Sequence, residues 1–145
     1  MKKSKRLLTI LKLKEREEQN LAKQLSEITG LLNDEKNQLG ELQKYRLEYQ
    51  TEIENTVSQT MDMVTLLNRQ RFVTKLDMVV DNQASKVEKL QGQWDQQVIT
   101  WGNKKQEVNA WESMIEKEKK VEELARDKLV QKEMDDLYAS RKRFD

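Results

Sequence analysis

The chain has 145 residues, of which 37% are charged and 36% hydrophobic, and it contains no proline, cysteine or histidine. Such a composition is typical of long helices that bury a narrow apolar stripe, and it argues against a round globular core. The net charge of +1 excludes a general electrostatic attraction to nucleic acid or to a membrane surface. Without histidine or cysteine, the usual general base, the thiol nucleophile and most transition-metal ligands are missing. We therefore predict a protein that is not an enzyme and that holds no cofactor and no metal.

The first part of the chain is basic and contains no acidic side chain before Glu15. Its apolar run is interrupted by Lys12 and Lys14, so it does not predict a signal peptide or the ~18–20 apolar residues of a membrane span. It also lacks the arginine-rich helix with which a bZIP protein contacts DNA. A second basic cluster lies near the other end of the chain. The two clusters comprise Lys2, Lys3, Lys5 and Arg6, and Arg141, Lys142 and Arg143.

Apolar residues recur at alternating steps of four and three through the first half of the chain. This spacing keeps one side of a helix apolar, as the seam of a coiled coil requires. It predicts a first helix over about residues 5–56, with polar interruptions of the seam at Glu35 and Arg46. The seam residues are Leu21, Leu25, Ile28, Leu32, Leu39, Leu42, Tyr49 and Ile53, and Leu7 and Leu11 extend the series backwards.

The apolar spacing is lost over about residues 57–65, where we predict a turn. Residues of this segment are mediocre helix formers, and Ser58, Thr60 or Asp62 is suited to cap a following helix. A second helix is predicted over about residues 66–140, because one apolar position recurs every seven residues. After Ile115 the phase changes, which is typical of a stutter or of a separate final segment. The seven-residue series is Leu66, Val73, Val80, Val87, Trp94, Trp101, Val108 and Ile115.

Two helices joined by a short connection are expected to lie antiparallel. A turn centred near residue 61 pairs residues whose numbers add up to about 122. This rule sets Trp94 against Ile28 and Lys104 against Glu18. The predicted fold is therefore all-α, a single antiparallel two-helix coiled-coil hairpin. Its second helix extends beyond the first and is expected to be unpaired from about residue 119.

One flank of the predicted hairpin carries aromatic and apolar side chains near the turn. Tyr45, Phe72 and Val79 do not fit the seam, and exposed aromatic residues are typical of protein interfaces. We interpret this flank as a docking strip for another protein, although three of its members would also fit the seam. The docking strip comprises Gln38, Leu42, Tyr45 and Tyr49 on the first helix and Phe72, Leu76, Val79 and Gln83 on the second. The three that also fit the seam are Leu42, Tyr49 and Leu76.

Three tryptophans and the final apolar residues lie outside this strip. Trp94 and Trp101 occupy successive seam positions and are interpreted as packing residues, whereas Trp111 is suited equally to packing and to binding. The last apolar stripe is either a partner-binding helix or a frayed end of the coiled coil. It comprises Val121, Leu124, Leu129, Met134 and Leu137.

Over nearly its whole length the sequence resembles the flagellar type III export protein family FliJ. The resemblance rests on an ordered series of aromatic residues at characteristic intervals, since composition alone is shared by all coiled coils. The segments that carry it are Tyr45-Arg46-Leu47-Glu48-Tyr49, Arg71-Phe72 with Leu76, Trp94, Trp101, Ala110-Trp111-Glu112 and the tail Gln131-Lys132-Glu133-Met134-Asp135-Asp136-Leu137.

The resemblance implies an antiparallel coiled coil similar to the central stalk of rotary ATPases. Family members insert into the hexameric ring of the export ATPase FliI, promote its assembly and activity, contact the cytoplasmic domain of the export gate FlhA, and interact with export chaperones. The resemblance implies that the docking strip binds the gate, with Val79 and Gln83 replacing a smaller residue and a histidine. It implies that the basic clusters at the paired ends bind the ATPase, in the cytoplasm at the inner membrane.

Three other interpretations stay open on the sequence. The chain could be the equivalent stalk of a virulence-type type III secretion system, which shares this architecture. It could be a structural homodimeric coiled coil or tether with no role at an ATPase, whereas a self-contained hairpin is expected to be an elongated monomer. A nucleic-acid binder is the third alternative, and a steep salt dependence of DNA affinity would distinguish it.

Overall fold

The computed structural model describes residues 2–57 and 62–144, apart from the side chains of residues 57, 143 and 144. It contains two helices, α1 over Lys3–Val57 with 55 residues and α2 over Met63–Phe144 with 82 residues. The described part contains no strand. The predicted all-α hairpin with a longer second helix is confirmed, and both helices extend a few residues beyond the limits of the apolar spacing.

In both helices the backbone carbonyl of the residue before the first turn accepts the first hydrogen bonds of the helix. The carbonyl oxygen of Lys2 accepts hydrogen bonds from the amides of Lys5 and Arg6, at 3.1 and 3.3 Å. Asp62 directly precedes α2, and its carbonyl oxygen accepts from the amide of Leu66 at 3.0 Å, as an N-cap residue does. The other two candidate caps, Ser58 and Thr60, lie outside the described residues.

The chain forms two compact units, each defined by contacts between its own residues. The first unit combines Met1–Asn20 with Trp101–Asp145, and the second is Leu21–Thr100. Each unit pairs a part of α1 with a part of α2, so the two helices run antiparallel in both. The apolar residues buried in the second unit are Leu32, Leu76, Val80 and Leu90. Those buried in the first unit are Leu11, Val108 and Ile115, packed against Leu7, Leu8 and Trp111.

Two tryptophans connect the helices through their indole nitrogens. In the second unit, the indole N–H of Trp94 donates to the hydroxyl of Thr29 at 2.8 Å. In the first unit, the indole N–H of Trp101 donates to a carboxylate oxygen of Glu18 at 2.8 Å. Both side chains are only half-buried, and each satisfies its polar atom across the pair, as expected of packing residues.

The ion pairs of the first unit show that one expected pairing is wrong. Lys104 was expected opposite Glu18, but its ammonium group contacts Glu17 at 2.9 Å and Glu107 at 3.1 Å. The reason is that the Trp101 indole already binds Glu18. The carboxylate of Glu17, one residue earlier on α1, faces Lys104 instead. Lys14 completes the network through an ion pair with Glu107 at 2.9 Å.

The end of α2 is exposed. Ser4 contacts Glu122 through its amide at 3.2 Å and its hydroxyl at 2.7 Å. Every described side chain from Glu123 to Lys142 is exposed. The helix therefore continues beyond its contact with the start of α1, and it presents its last apolar stripe to solvent.

Glycines within the helices should lower the free energy of unfolding relative to alanine at the same positions. A Cβ atom built on Gly30 or Gly92 meets no atom within 4 Å, and neither residue has a positive φ angle. Because glycine is about 1 kcal/mol less favourable than alanine inside a helix, we expect Gly30→Ala and Gly92→Ala each to raise the free energy of unfolding by about that amount. Urea unfolding followed by circular dichroism measures this change. An unchanged midpoint would show that these glycines do not lower the free energy of unfolding.

Candidate protein-binding surfaces

Three aromatic rings meet across the two helices in the second unit. Tyr49 and Phe72 are the closest pair, with ring centroids 4.8 Å apart and an interplanar angle of 56°. Tyr45 lies 6.3 Å from Tyr49 and 6.5 Å from Phe72, which it approaches edge to face at 89°. These are favourable geometries for aromatic pairs. The structure thus brings together the aromatic residues that sequence reasoning placed in the docking strip.

The members of the docking strip differ in exposure. Tyr45 is 48% exposed, Phe72 40% and Val79 47%, and Gln38 is also exposed. Leu42 and Tyr49 are half-buried, and Tyr49 contacts Phe72 of the other helix. Leu76 and Gln83 are 6% and 9% exposed. These two residues can therefore contribute to a partner surface only by supporting their neighbours.

Gln83 is held by a buried polar contact with α1. Its amide nitrogen donates to the backbone carbonyl of Glu35 at 3.0 Å and also to the Glu35 carboxylate. The other carboxylate oxygen is 3.1 Å from the ammonium of Lys86. The hydrogen bond from Gln83, followed by that from Lys86, lowers the pKa of Glu35 below its ordinary value. Glu35, which interrupts the apolar seam in the sequence, is thus paired rather than misplaced.

A second polar network stands in the first unit. Lys104 bonds to Glu17 and Glu107, and these bonds raise the pKa of the lysine. The pKa of Glu17 is lowered chiefly by its hydrogen bond from Lys104. The pKa of Glu107 is lowered first by Lys14 and then by Lys104. Nearer the start of α1, the hydroxyl and then the amide of Ser4 lower the pKa of Glu122.

These shifted pKa values predict a fall of stability in acid. A carboxyl group whose pKa is lower in the folded state binds fewer protons there than in the unfolded chain, so its contribution is full above the ordinary value of 4.5 and is lost as the pH falls through the lowered pKa. The contribution of Lys104, whose pKa is raised, is lost only as the pH rises beyond 10.5. We expect the melting temperature to be level near neutral pH and to fall below pH 4.5. The carboxylates concerned are Glu17, Glu35, Glu107 and Glu122.

Thermal unfolding followed by circular dichroism from pH 7 to pH 3, at fixed ionic strength, measures this dependence. The variant Glu17→Gln/Glu107→Gln should lower the melting temperature at neutral pH more than at the acid end, since it removes two of the titrating contacts. Equal losses at both ends of the pH range would contradict the assignment of the stability to these ion pairs.

The two basic clusters are not side by side. Lys2, Lys3, Lys5 and Arg6 are exposed around Ser4, which sits against Glu122. Arg141 and Lys142 are exposed on α2 beyond that contact, and Arg141 is about 28 Å further along the helix at 1.5 Å per residue. The ammonium of Lys142 lies 5.6 Å from the ring centroid of Tyr138. The side chain of Arg143 lies outside the described residues.

The last apolar stripe stands free on α2. Its members are between 58% and 69% exposed. Leu137 and Met134 also line an open groove with Tyr138 and Arg141. Sequence reasoning did not single out Val130 and Tyr138, which are exposed at 49% and 66%. They follow the same helical spacing as Met134 and Leu137, which is the signal that could have identified them. The stripe comprises Val121, Leu124, Leu129, Met134 and Leu137.

Other kinds of site find no support in the described residues. Over residues 2–57 and 62–144, no group of three or more acidic side chains is placed to hold a metal ion. Within the same ranges, neither helix includes a stretch apolar enough and long enough to cross a bilayer. The candidate sites that remain under consideration are the docking strip, the last apolar stripe and the basic clusters.

Comparison with known proteins gives matches over nearly the whole chain. The family model described as "Flagellar FliJ protein" matches residues 2–143. A flagellar FliJ protein of Escherichia coli (strain K12) is 27% identical over 135 residues, which cover 90% of this chain and 89% of the relative. A flagellar FliJ protein of Salmonella typhi is 24% identical over 131 residues, with the same coverage of 90% and 89%. No solved structure gives a significant match.

Proposed function

This chain belongs to the flagellar FliJ family and is a component of the flagellar type III export apparatus, and from that premise we propose that it acts there as a non-enzymatic stalk. In this role it binds the ring of the export ATPase, promotes the assembly and activity of that ring, and links it to the cytoplasmic domain of the export gate. It also interacts with export chaperones. We propose that it works in the cytoplasm, at the inner membrane when it is bound to the apparatus.

The exposed aromatic cluster is the observation that carries the proposal. An antiparallel pair of helices buries its seam, so side chains on its flank need a partner to be covered. Tyr45 and Phe72 are large, partly exposed and held in place by Tyr49 beneath them. Aromatic side chains that are already fixed in position lose little conformational freedom on binding, which suits them as interface anchors. We assign the docking strip to the gate.

The unit that contains both basic clusters is proposed to bind the ATPase. Its exposed cations are suited to acidic or carbonyl-rich surfaces inside a ring, and the last apolar stripe adds a face that an amphipathic helix can place in a groove. Because this stripe and the docking strip belong to different units, the chain offers separate surfaces to separate partners.

The hydrolysis rate of the purified export ATPase, measured with and without this chain, tests the stalk role. We expect clear stimulation together with more ring assembly in electron micrographs. The docking-strip variant Tyr45→Ala/Phe72→Ala should stimulate the ATPase as well as the native chain, since its substitutions lie in the other unit. No stimulation of a competent ATPase would reject the stalk role and favour a plain tether. In that case sedimentation would distinguish a homodimer from a monomer of 17.3 kDa.

A further inference from the structure

The outer border of the docking strip on α1 is acidic. Four acidic residues recur every seven positions, which places them on one side of a helix. Glu41 precedes Tyr45 by one turn and Glu48 follows it by nearly one turn, so both lie beside this ring on the side away from α2. All four side chains are exposed. The acidic edge comprises Glu27, Asp34, Glu41 and Glu48.

The outer border of the same strip on α2 is basic. Lys75 follows Phe72 by three residues and precedes Val79 by four, so it lies beside both of these exposed side chains. Its neighbours on this side of α2 are an arginine and another lysine, both exposed. Asp77 lies elsewhere around the helix, where it pairs with Arg46 at 3.7 Å. The basic edge comprises Arg71, Lys75 and Lys89.

The charges beside the aromatic cluster are not neutralised within the chain. The ion pairs of the described residues include none formed by Glu41, Glu48, Arg71 or Lys75. Lys44 lies three residues after Glu41 and four before Glu48, but it forms an ion pair with neither of them in the structure. An apolar strip with an acidic border on one side and a basic border on the other is therefore available to a partner.

We infer that the docking strip fits an apolar groove with oppositely charged rims, one basic and facing α1, the other acidic and facing α2. This inference rests on the proposed role of the strip in gate binding, and it adds the orientation of the partner. Reversing the partner across the strip would bring like charges together on both edges. Such juxtapositions are strongly unfavourable in interfaces, so complementary rims select one orientation.

Calorimetric titration of the gate's cytoplasmic domain with charge-reversal variants tests this inference. One variant reverses the acidic edge, Glu41→Lys/Glu48→Lys, and another reverses the basic edge, Lys75→Glu. Each has a matched control with the same charge change on the far side of the same hairpin. The controls are Glu54→Lys/Glu88→Lys and Lys36→Glu, all at exposed positions. Circular dichroism establishes that each variant is as helical as the native chain.

Both edge variants are expected to weaken binding about tenfold or more at low salt, with the difference shrinking as salt is added. The controls are expected to stay within about twofold of the native affinity. Weakening by one edge variant together with strengthening by the other would overturn the inference, because simple attraction to a partner of one charge has that outcome. Unchanged affinity in both edge variants would overturn it as well, while leaving gate binding intact. Failure of the native chain to bind would instead reject the proposed function on which the inference rests.

Discussion

Replacing Tyr45 and Phe72 together by alanine should weaken binding to the export gate's cytoplasmic domain by at least about a hundredfold. Central aromatic residues of an interface cost about 2 kcal/mol or more each when they are truncated, and tenfold in affinity corresponds to about 1.4 kcal/mol. The two rings contact each other edge to face, so each also supports the position of the other. Their loss removes the exposed part of the aromatic cluster and leaves Tyr49 without its neighbours.

The matched control is Leu47→Ala/Met78→Ala. Both residues are apolar and highly exposed, at 64% and 62%, and both lie off the docking strip. The control should bind the gate with native affinity, and neither double variant should lose helicity, because alanine is the best helix former. Gate binding that survives in the aromatic variant would reject the docking strip as the binding site. A similar loss in the control would show that exposed apolar area in general, rather than the cluster, drives binding.

Ile115→Ala should destabilise the hairpin by about 2 to 5 kcal/mol. Ile115 is 4% exposed and belongs to a buried cluster with Leu11 and Val108. Truncation removes buried methyl groups and leaves a cavity, because helices on either side relax only in part. A two-helix hairpin has few buried side chains to compensate, since each helix buries only one stripe. The loss should therefore be a large fraction of the marginal stability of a small domain.

The neighbouring substitution Met114→Ala provides the control, since Met114 is 48% exposed and lies on the same turn of α2. It should change the free energy of unfolding by less than about 0.5 kcal/mol. Urea titration of both variants, followed by circular dichroism, compares the two midpoints. Equal midpoints would contradict the packing of this cluster as the source of stability in the first unit. A fall in the midpoint of Met114→Ala alone would point to a buried role for that residue.

The spacing of apolar residues predicted the fold because, in a coiled coil, the position of a residue in the sequence determines whether it faces the partner helix. Every seventh residue faces the partner helix, so the buried positions of α2 can be counted along the sequence. Val80, Val108 and Ile115 belong to the predicted series and are 3%, 2% and 4% exposed. The same counting gave Trp94 and Trp101 as packing residues. Both do connect the helices.

The polar contacts of the seam were harder to predict. The spacing marks Glu35 as an interruption and sets Lys104 against Glu18, but it does not determine which side chain on the other helix pairs with either of them. That choice depends on side-chain length and on competition, as when Trp101 binds Glu18 and leaves Lys104 to Glu17. Gln83 illustrates the same limit. It was placed in the docking strip by its spacing, whereas its long amide side chain reaches inward to Glu35.

The sequence predicted which residues of the docking strip are neighbours, but it did not predict which of them are exposed. Helical spacing places Tyr45 and Phe72 on facing ridges, and their ring contacts agree with this. The exposure of each side chain depends on how far its helix is rotated about its axis. The spacing of mixed aromatic and apolar residues determines this rotation only to within about one residue position. The acidic edge has a clear signal in the sequence, since acidic residues recur at intervals of seven along α1.

The Glu35 contact also determines what kind of movement this part of the hairpin can transmit. If one helix slipped along the other by one heptad, the apolar positions would still meet, since successive heptads are equivalent. Gln83 would then be replaced opposite Glu35 by Leu76 or Leu90, both buried. A carboxylate facing leucine would lose its hydrogen bonds and its solvation together. Slippage by a heptad is therefore unfavourable at these residues, and we expect motion to pass through them by bending or by rotation of the two helices as a pair.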